Sequence, residues 1–207
     1  RHSMAIIMNN IGDSLEHLGD LPAALSYAYR TEQISDEIGD RQMSAISNNN
    51  LGYLKMKLNH PASDAIPYYE KSLALFRQLG NVYGIFFTLR DIARAWLLAG
   101  GEIPARTYLI EALHLGIDLK DPLLVLHLLT VAARLEAQLG QSDQAAALCL
   151  YTLNHPQVET ALQEEAKSML AELHSLSGTE GSGIPIEIQS TLPTFEALLA
   201  EIEQGQR

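Results

Sequence analysis

One pattern, recurring up to four times at intervals of about 40 residues, governs what this chain can fold into. Ala24, Tyr27, Thr31, Ile34, Ile38 and Asp40 reappear as Ala65, Tyr68, Ser72, Leu75, Leu79 and Asn81. They return as Ala105, Tyr108, Ala112, Leu115, Leu119 and Asp121. A second column keeps the same step: Ile11-Gly12, Leu51-Gly52, Ile92-Ala93 and Ala132-Ala133. A unit of this length cannot bury its apolar face alone, so it stacks on its neighbours in an open row. Such a row is a surface for holding something and seldom a reaction vessel.

The columns have helical spacing. Met8, Ile11, Leu15 and Leu18 form one apolar stripe, and Leu89, Ile92, Trp96 and Ala99 another. Recurrence at i, i+3, i+7 and i+10 belongs to a helix, not to an alternating strand. The small residues Gly12, Gly52, Ala93 and Ala133 mark close helix crossings. Turns are as regular as the stripes: Gly19-Asp20-Leu21-Pro22, Asn59-His60-Pro61, Gly39-Asp40, Gly80-Asn81 and Asp121-Pro122. Glycine or asparagine ends a helix in the left-handed conformation, Asp or Asn caps the next, and proline fits its first turn. The punctuation predicts helices over 4–18, 22–38, 41–58, 63–79, 82–99, 104–119, 122–139, 143–154 and 157–175. The fold class is therefore all-α: a right-handed α-solenoid of about four helix pairs, a capping helix and a short C-terminal helix. Residues 4–175 form the repeat domain, 176–192 a linker rich in Gly and Ser, and 193–207 a last short helix. Arg1-His2-Ser3, ahead of Met4, reads as a cloning scar. A chain opening directly into a repeat helix reads as a piece of something longer. Met4, Ile6, Ile7, Met8 and Ile11 spread apolar surface around the first helix. Either an upstream unit covers it, or a second copy does, giving a homodimer.

Charge narrows the partners. The 207 residues carry a net charge of −11, which disfavours nucleic acid and anionic membrane. No stretch approaches the roughly 18–20 apolar residues of a membrane span. The single cysteine, Cys149, excludes an internal disulfide and fits a reducing, cytoplasmic compartment. It sits in an apolar run with no cation beside it in sequence, as a buried inert thiol does.

The chemistry of catalysis is not written here. The seven histidines are scattered without zinc-ligand spacing, so no metal or cofactor is expected. Gly178, Gly181 and Gly183 precede Ile184-Pro185 rather than the Lys-Ser or Lys-Thr of a phosphate loop. No serine stands in a nucleophile elbow. The expected protein is not an enzyme.

A groove is the better candidate. First helices line the concave side of a stack of helix pairs. Taking the small residue of each as reference, the positions three before and one after face that groove. They are Asn9 and Asp13, Asn49 and Tyr53, Arg90 and Arg94, and Thr130 and Arg134, with His127 on the same side. Guanidinium forks match carboxylates and phosphates. Arg90, Arg94 and Arg134 are therefore candidates to hold an acidic peptide or small anion. The competing expectation is that they pair with Asp91, Glu136 or Glu102 and only solvate the face.

The Leu51-Gly52-Tyr53 triplet, the alanines at 24, 65 and 105 and the tyrosines at 27, 68 and 108 resemble the tetratricopeptide repeat (TPR) family. Its usual unit is shorter, about 34 residues. The longer unit, with ALFRQLGN at 74–81 and AQLGQSDQAA at 137–146, is similar to the C-terminal repeat arrays of bacterial STAND-class ATPases and transcriptional regulators. The resemblance implies a non-catalytic protein–protein interaction domain, the sensing arm of a larger cytoplasmic signalling regulator. The alternative is a small-molecule sensor enclosing an anionic effector, with Tyr53, Phe86, Phe87 and Trp96 around the pocket.

Overall fold

The computed structural model describes residues 1–121, 123–177 and 200. Among them the regular structure is entirely helical: α1 (His2–His17), α2 (Leu21–Ile38), α3 (Arg41–Lys57), α4 (Ala62–Leu79), α5 (Val82–Leu98), α6 (Glu102–Leu119), α7 (Leu123–Gln138), α8 (Ser142–Asn154) and α9 (Thr160–Ser177). Residues 176 and 177, expected to open the linker, instead end α9; the rest of the expected linker and, but for Ala200, the final short helix lie outside the described residues. The chain divides into two compact units, Arg1–Gly101 and Glu102–Arg207.

The breaks between helices follow from the predicted punctuation. Gly39 and Gly80 close α2 and α4 at φ 70° and 65°, a conformation cheap only without a Cβ. Asp20, Asp40 and Asn81 then accept a hydrogen bond from the free N–H groups of Ala23, Met43 and Gly84. Each such cap is worth about 1 kcal/mol. Three starts differ from expectation by more than one residue: α6 begins at Glu102 rather than 104, and the first and last helices also differ. The first helix already includes His2 and Ser3, and His2 Nδ1 lies 2.6 Å from Asp40 Oδ2. The last helix begins at Thr160 rather than 157. Pro156 holds His155 extended (φ −76°, ψ 128°), because its ring disfavours helical geometry in the residue before it.

In the first unit α1 to α5 pack in series, each on the next, and α3 also touches α1 and α5. This is the α-solenoid arrangement of stacked helical hairpins. The repeat columns are its interior. Ala24 and Ala65 are fully buried, as are Thr31 and Ser72. Thr31 returns its hydroxyl to Tyr27 O, and Ser72 donates across to Ala45 O of α3 at 2.8 Å. Small side chains at these crossings bring backbones close, and their hydroxyls are satisfied without water. Met4 and Ile7 of α1, and Leu18 just after it, are exposed.

In the second unit α6 packs on α7, α7 on α8, and α9 on both α7 and α8. Ala105, Ala112, Ala145 and Thr152 continue the buried columns. Helix α9 buries Leu162, Ala166, Met169 and Leu173 and keeps Glu164, Lys167 and Glu172 in water. That one-sided pattern is what a capping helix needs.

Candidate functional site

The side chains that α1, α3 and α5 turn toward one another form a lateral network. Asn50 of α3 donates to Asn9 Oδ1 (3.1 Å) and Asp13 Oδ1 (3.3 Å) of α1, and Asn9 donates to Asp13 Oδ2 (3.0 Å). One turn further, the Tyr53 hydroxyl and the Lys57 ammonium of α3 both donate to Glu16 Oε1, at 3.1 and 3.0 Å. Lys57 Nζ also lies 5.1 Å from the Tyr53 ring centre. Between α3 and α5, Thr88 Oγ1 lies 3.3 Å from Asn49 Oδ1.

Electrostatics separate the two carboxylates. Burial pushes the Asp13 carboxyl above its ordinary value and neighbouring Glu16 adds to this, outweighing His17 and the Asn9 hydrogen bond. Burial also acts on Glu16, but the hydrogen bonds from Lys57 and Tyr53 win and hold it below its ordinary value. Opposite charge and hydrogen bonds to the ionised form favour ionisation, while lost water opposes it.

These side chains surround a pocket of about 230 Å³ between α1, α2 and α3. Gly12, Ala24, Ala28 and Leu54 give it an apolar floor. Asn9, Asp13, Glu16, His17, Asn50 and Tyr53 give it a polar rim. Asn9, Asp13 and Tyr53, expected as groove residues, line this pocket together with Glu16, His17, Asn50 and Ala28.

The other expected positions have different surroundings. Arg90 Nη2 lies 2.7 Å and Arg94 Nη2 3.4 Å from Asp91 Oδ1, and the Asp91 side chain is only 4% exposed. Arg90 also stands over the Phe87 ring at 5.1 Å. Phe86 is wholly buried and meets Phe87 edge-on. In the second unit, Arg134 of α7 approaches Glu172 of α9 at 3.8 Å. Thr130 is buried and His127 half-buried. Asp91 is thus an acidic neighbour of Arg90 and Arg94, as the competing expectation has it, and Glu172 one of Arg134. Among the described residues no three His, Cys, Asp or Glu side chains gather as a metal site, and no helix is long and apolar enough to cross a membrane.

The fold and this surface define a class: an all-α repeat protein presenting polar side chains from its row of first helices. Residues 3–78 match the tetratricopeptide repeat family. Members of that family generally mediate protein–protein interaction. Comparison with curated proteins gives no match.

Proposed function

We propose that this chain is a non-catalytic interaction module whose first unit holds an extended segment of a partner protein along α1, α3 and α5. The observation that carries the reading is the lateral network itself. Asn9, Asn50 and Asp13, then Glu16, Tyr53 and Lys57, are tied across helices before any partner arrives. A surface ordered in advance loses less conformational entropy on binding. The family match over the same residues supports it.

On this row Arg90 and Arg94 are the groups suited to an acidic residue of the partner. The unit of about 40 residues, similar to STAND-class arrays, supports a place as the recognition arm of a larger bacterial regulator.

Binding of acidic peptides, measured by fluorescence anisotropy, tests the assignment. The comparison is between the wild type and Arg90→Gln/Asp91→Asn/Arg94→Gln, which removes the three charges together. Binding weakened about tenfold or more, equivalent to about 1.4 kcal/mol, supports it. Equal affinities dispose of it.

A further inference from the structure

We propose that the pocket between α1, α2 and α3 receives a lysine or arginine side chain of a partner protein. The claim deepens the reading of the first unit as a partner-holding surface, and rests on it only in taking the ligand to be part of a protein.

The repeat explains why the pocket exists. Four residues after the alanine column, the successive units carry Ala28, Tyr69, Leu109 and Cys149. In the second pair Tyr69 is fully buried and its ring lies on Gly52. In the first pair the cognate positions hold Ala28 and Gly12. Their small size leaves a ring-sized space between the helices, and the pocket of about 230 Å³ opens there, with both residues in its lining. A well-packed interior does not leave such a space without a use or a cost. The pocket is therefore fitted to a side chain from outside.

Its chemistry selects that side chain. An apolar floor asks for a hydrocarbon stem, and the rim asks for a polar tip able to donate hydrogen bonds. The Asp13 carboxylate accepts from two neutral amides, those of Asn9 and Asn50. Among the described residues no lysine or arginine pairs with it. The nearby ammonium, Lys57, is on Glu16. An incoming ammonium or guanidinium supplies the missing countercharge. An acidic side chain meets repulsion from Asp13 and Glu16, and a neutral aromatic ring brings no charge at all. The raised pKa of Asp13 is consistent: its ionised form is costly until a cation arrives.

The experiment uses the full chain, isotope-labelled for NMR, at neutral pH and low salt. The probes are blocked tripeptides Gly-Arg-Gly, Gly-Lys-Gly, Gly-Glu-Gly and Gly-Tyr-Gly. Saturable shifts of the Gly12, Ala28 and Asn50 amides are expected with the arginine and lysine probes only. Asp13→Asn weakens them about tenfold, a typical loss for a charged hydrogen-bonded contact. Ala28→Tyr abolishes them by refilling the space. Asp13→Asn keeps the test valid should the tyrosine variant fold poorly. Absence of saturation, an equal response to the glutamate or tyrosine probe, or an unchanged response in Asp13→Asn overturns the proposal. The two readings fail separately. Tripeptides that do not bind, with acidic peptides still dependent on the α5 cluster, sink the pocket alone. The reverse result sinks the acidic-peptide reading alone.

Discussion

Tyr69 lies on Gly52 with no room between them: a methyl group at residue 52 would stand 2.8 Å from the ring atoms Cε1 and Cζ. The ring is 1% exposed and cannot swing away into water. Alanine in place of a mid-helix glycine normally gains up to about 1 kcal/mol, but overpacking a core costs about 1–3 kcal/mol. The clash wins. Gly52→Ala is expected to lower stability by about 1–2 kcal/mol, read from urea unfolding midpoints.

Gly12 heads the same column with the opposite sign. A methyl group there meets Tyr27 Cβ at 3.5 Å and Ala24 O at 3.7 Å, ordinary contacts. With no clash, the helix-propensity gain remains, and Gly12→Ala is expected to stabilise by up to about 1 kcal/mol. Two glycines of one repeat column that respond alike would refute the account of how Tyr69 and Ala28 differ.

The sequence makes much of the fold readable because its signals are local. Gly39, Gly80, Asp40 and Asn81 act within one turn of themselves, and the helix ends they predict agree with the structure to within a residue or two. The start of α9 is less readable: Pro156 acts on His155 and so explains where α8 stops, but it does not fix where the next helix begins. The pocket is harder still. It arises from what is missing at Ala28, and only alignment with Tyr69 in the next unit shows a gap. The rim was seen in part. Selecting positions three before and one after each small residue finds Asn9, Asp13 and Tyr53. It passes over Glu16, three residues beyond Asp13 and so on the same helix face, and over Asn50, whose partners lie on another helix. Whether Arg90 and Arg94 meet Asp91 or a ligand is a matter of side-chain direction, which spacing does not fix.

Asp91 joins two arginines inside the first unit, and that arrangement predicts a non-additive response. Removing its charge alone takes an anion away from both Arg90 and Arg94, only 19% and 24% exposed. Breaking a buried ion cluster one-sidedly costs about 3–5 kcal/mol, less where the partners retain some water. Asp91→Asn is expected to lose about 2–3 kcal/mol. The triple variant Arg90→Gln/Asp91→Asn/Arg94→Gln is expected to lose less than Asp91→Asn, because the repulsion is removed with the attraction. A triple variant weaker than the single one contradicts this.

The two carboxylates of the pocket give opposite pH responses. Glu16 is held below its ordinary value, so its contribution is fully present above the unfolded pKa and is lost as pH falls through the folded one. Asp13 is raised, so its ionised form costs stability at neutral pH, and acid relieves the cost. Glu16→Gln is therefore expected to be less stable than the wild type at neutral pH, by up to about 1 kcal/mol, with the difference fading below about pH 4. Asp13→Asn is expected to match or exceed the wild type at neutral pH. Chemical denaturation across pH checks both, and a marked loss in Asp13→Asn would mean that its charge serves folding rather than a ligand.

Cys149 supplies a probe of the second unit. Its thiol is fully buried, and burial, outweighing the opposing pull of Arg134 and helped by Glu165 and Glu172, pushes its pKa up to about 12. Thiolate is the reactive form, and a free cysteine titrates near about 8.5. At mildly alkaline pH the native thiolate fraction is then about a thousandfold below that of a free thiol, before access is considered. Iodoacetamide labelling in water is expected to be slower than that of glutathione by at least this factor. As urea is added, the rate should rise with the population of the opened state. Its dependence on urea then measures how much of the α7–α8–α9 packing must part to expose residue 149: a shallow dependence means local fraying of α8, and a slope equal to that of equilibrium unfolding means the helices open together. Labelling as fast as that of glutathione without denaturant would contradict both the burial and the raised pKa.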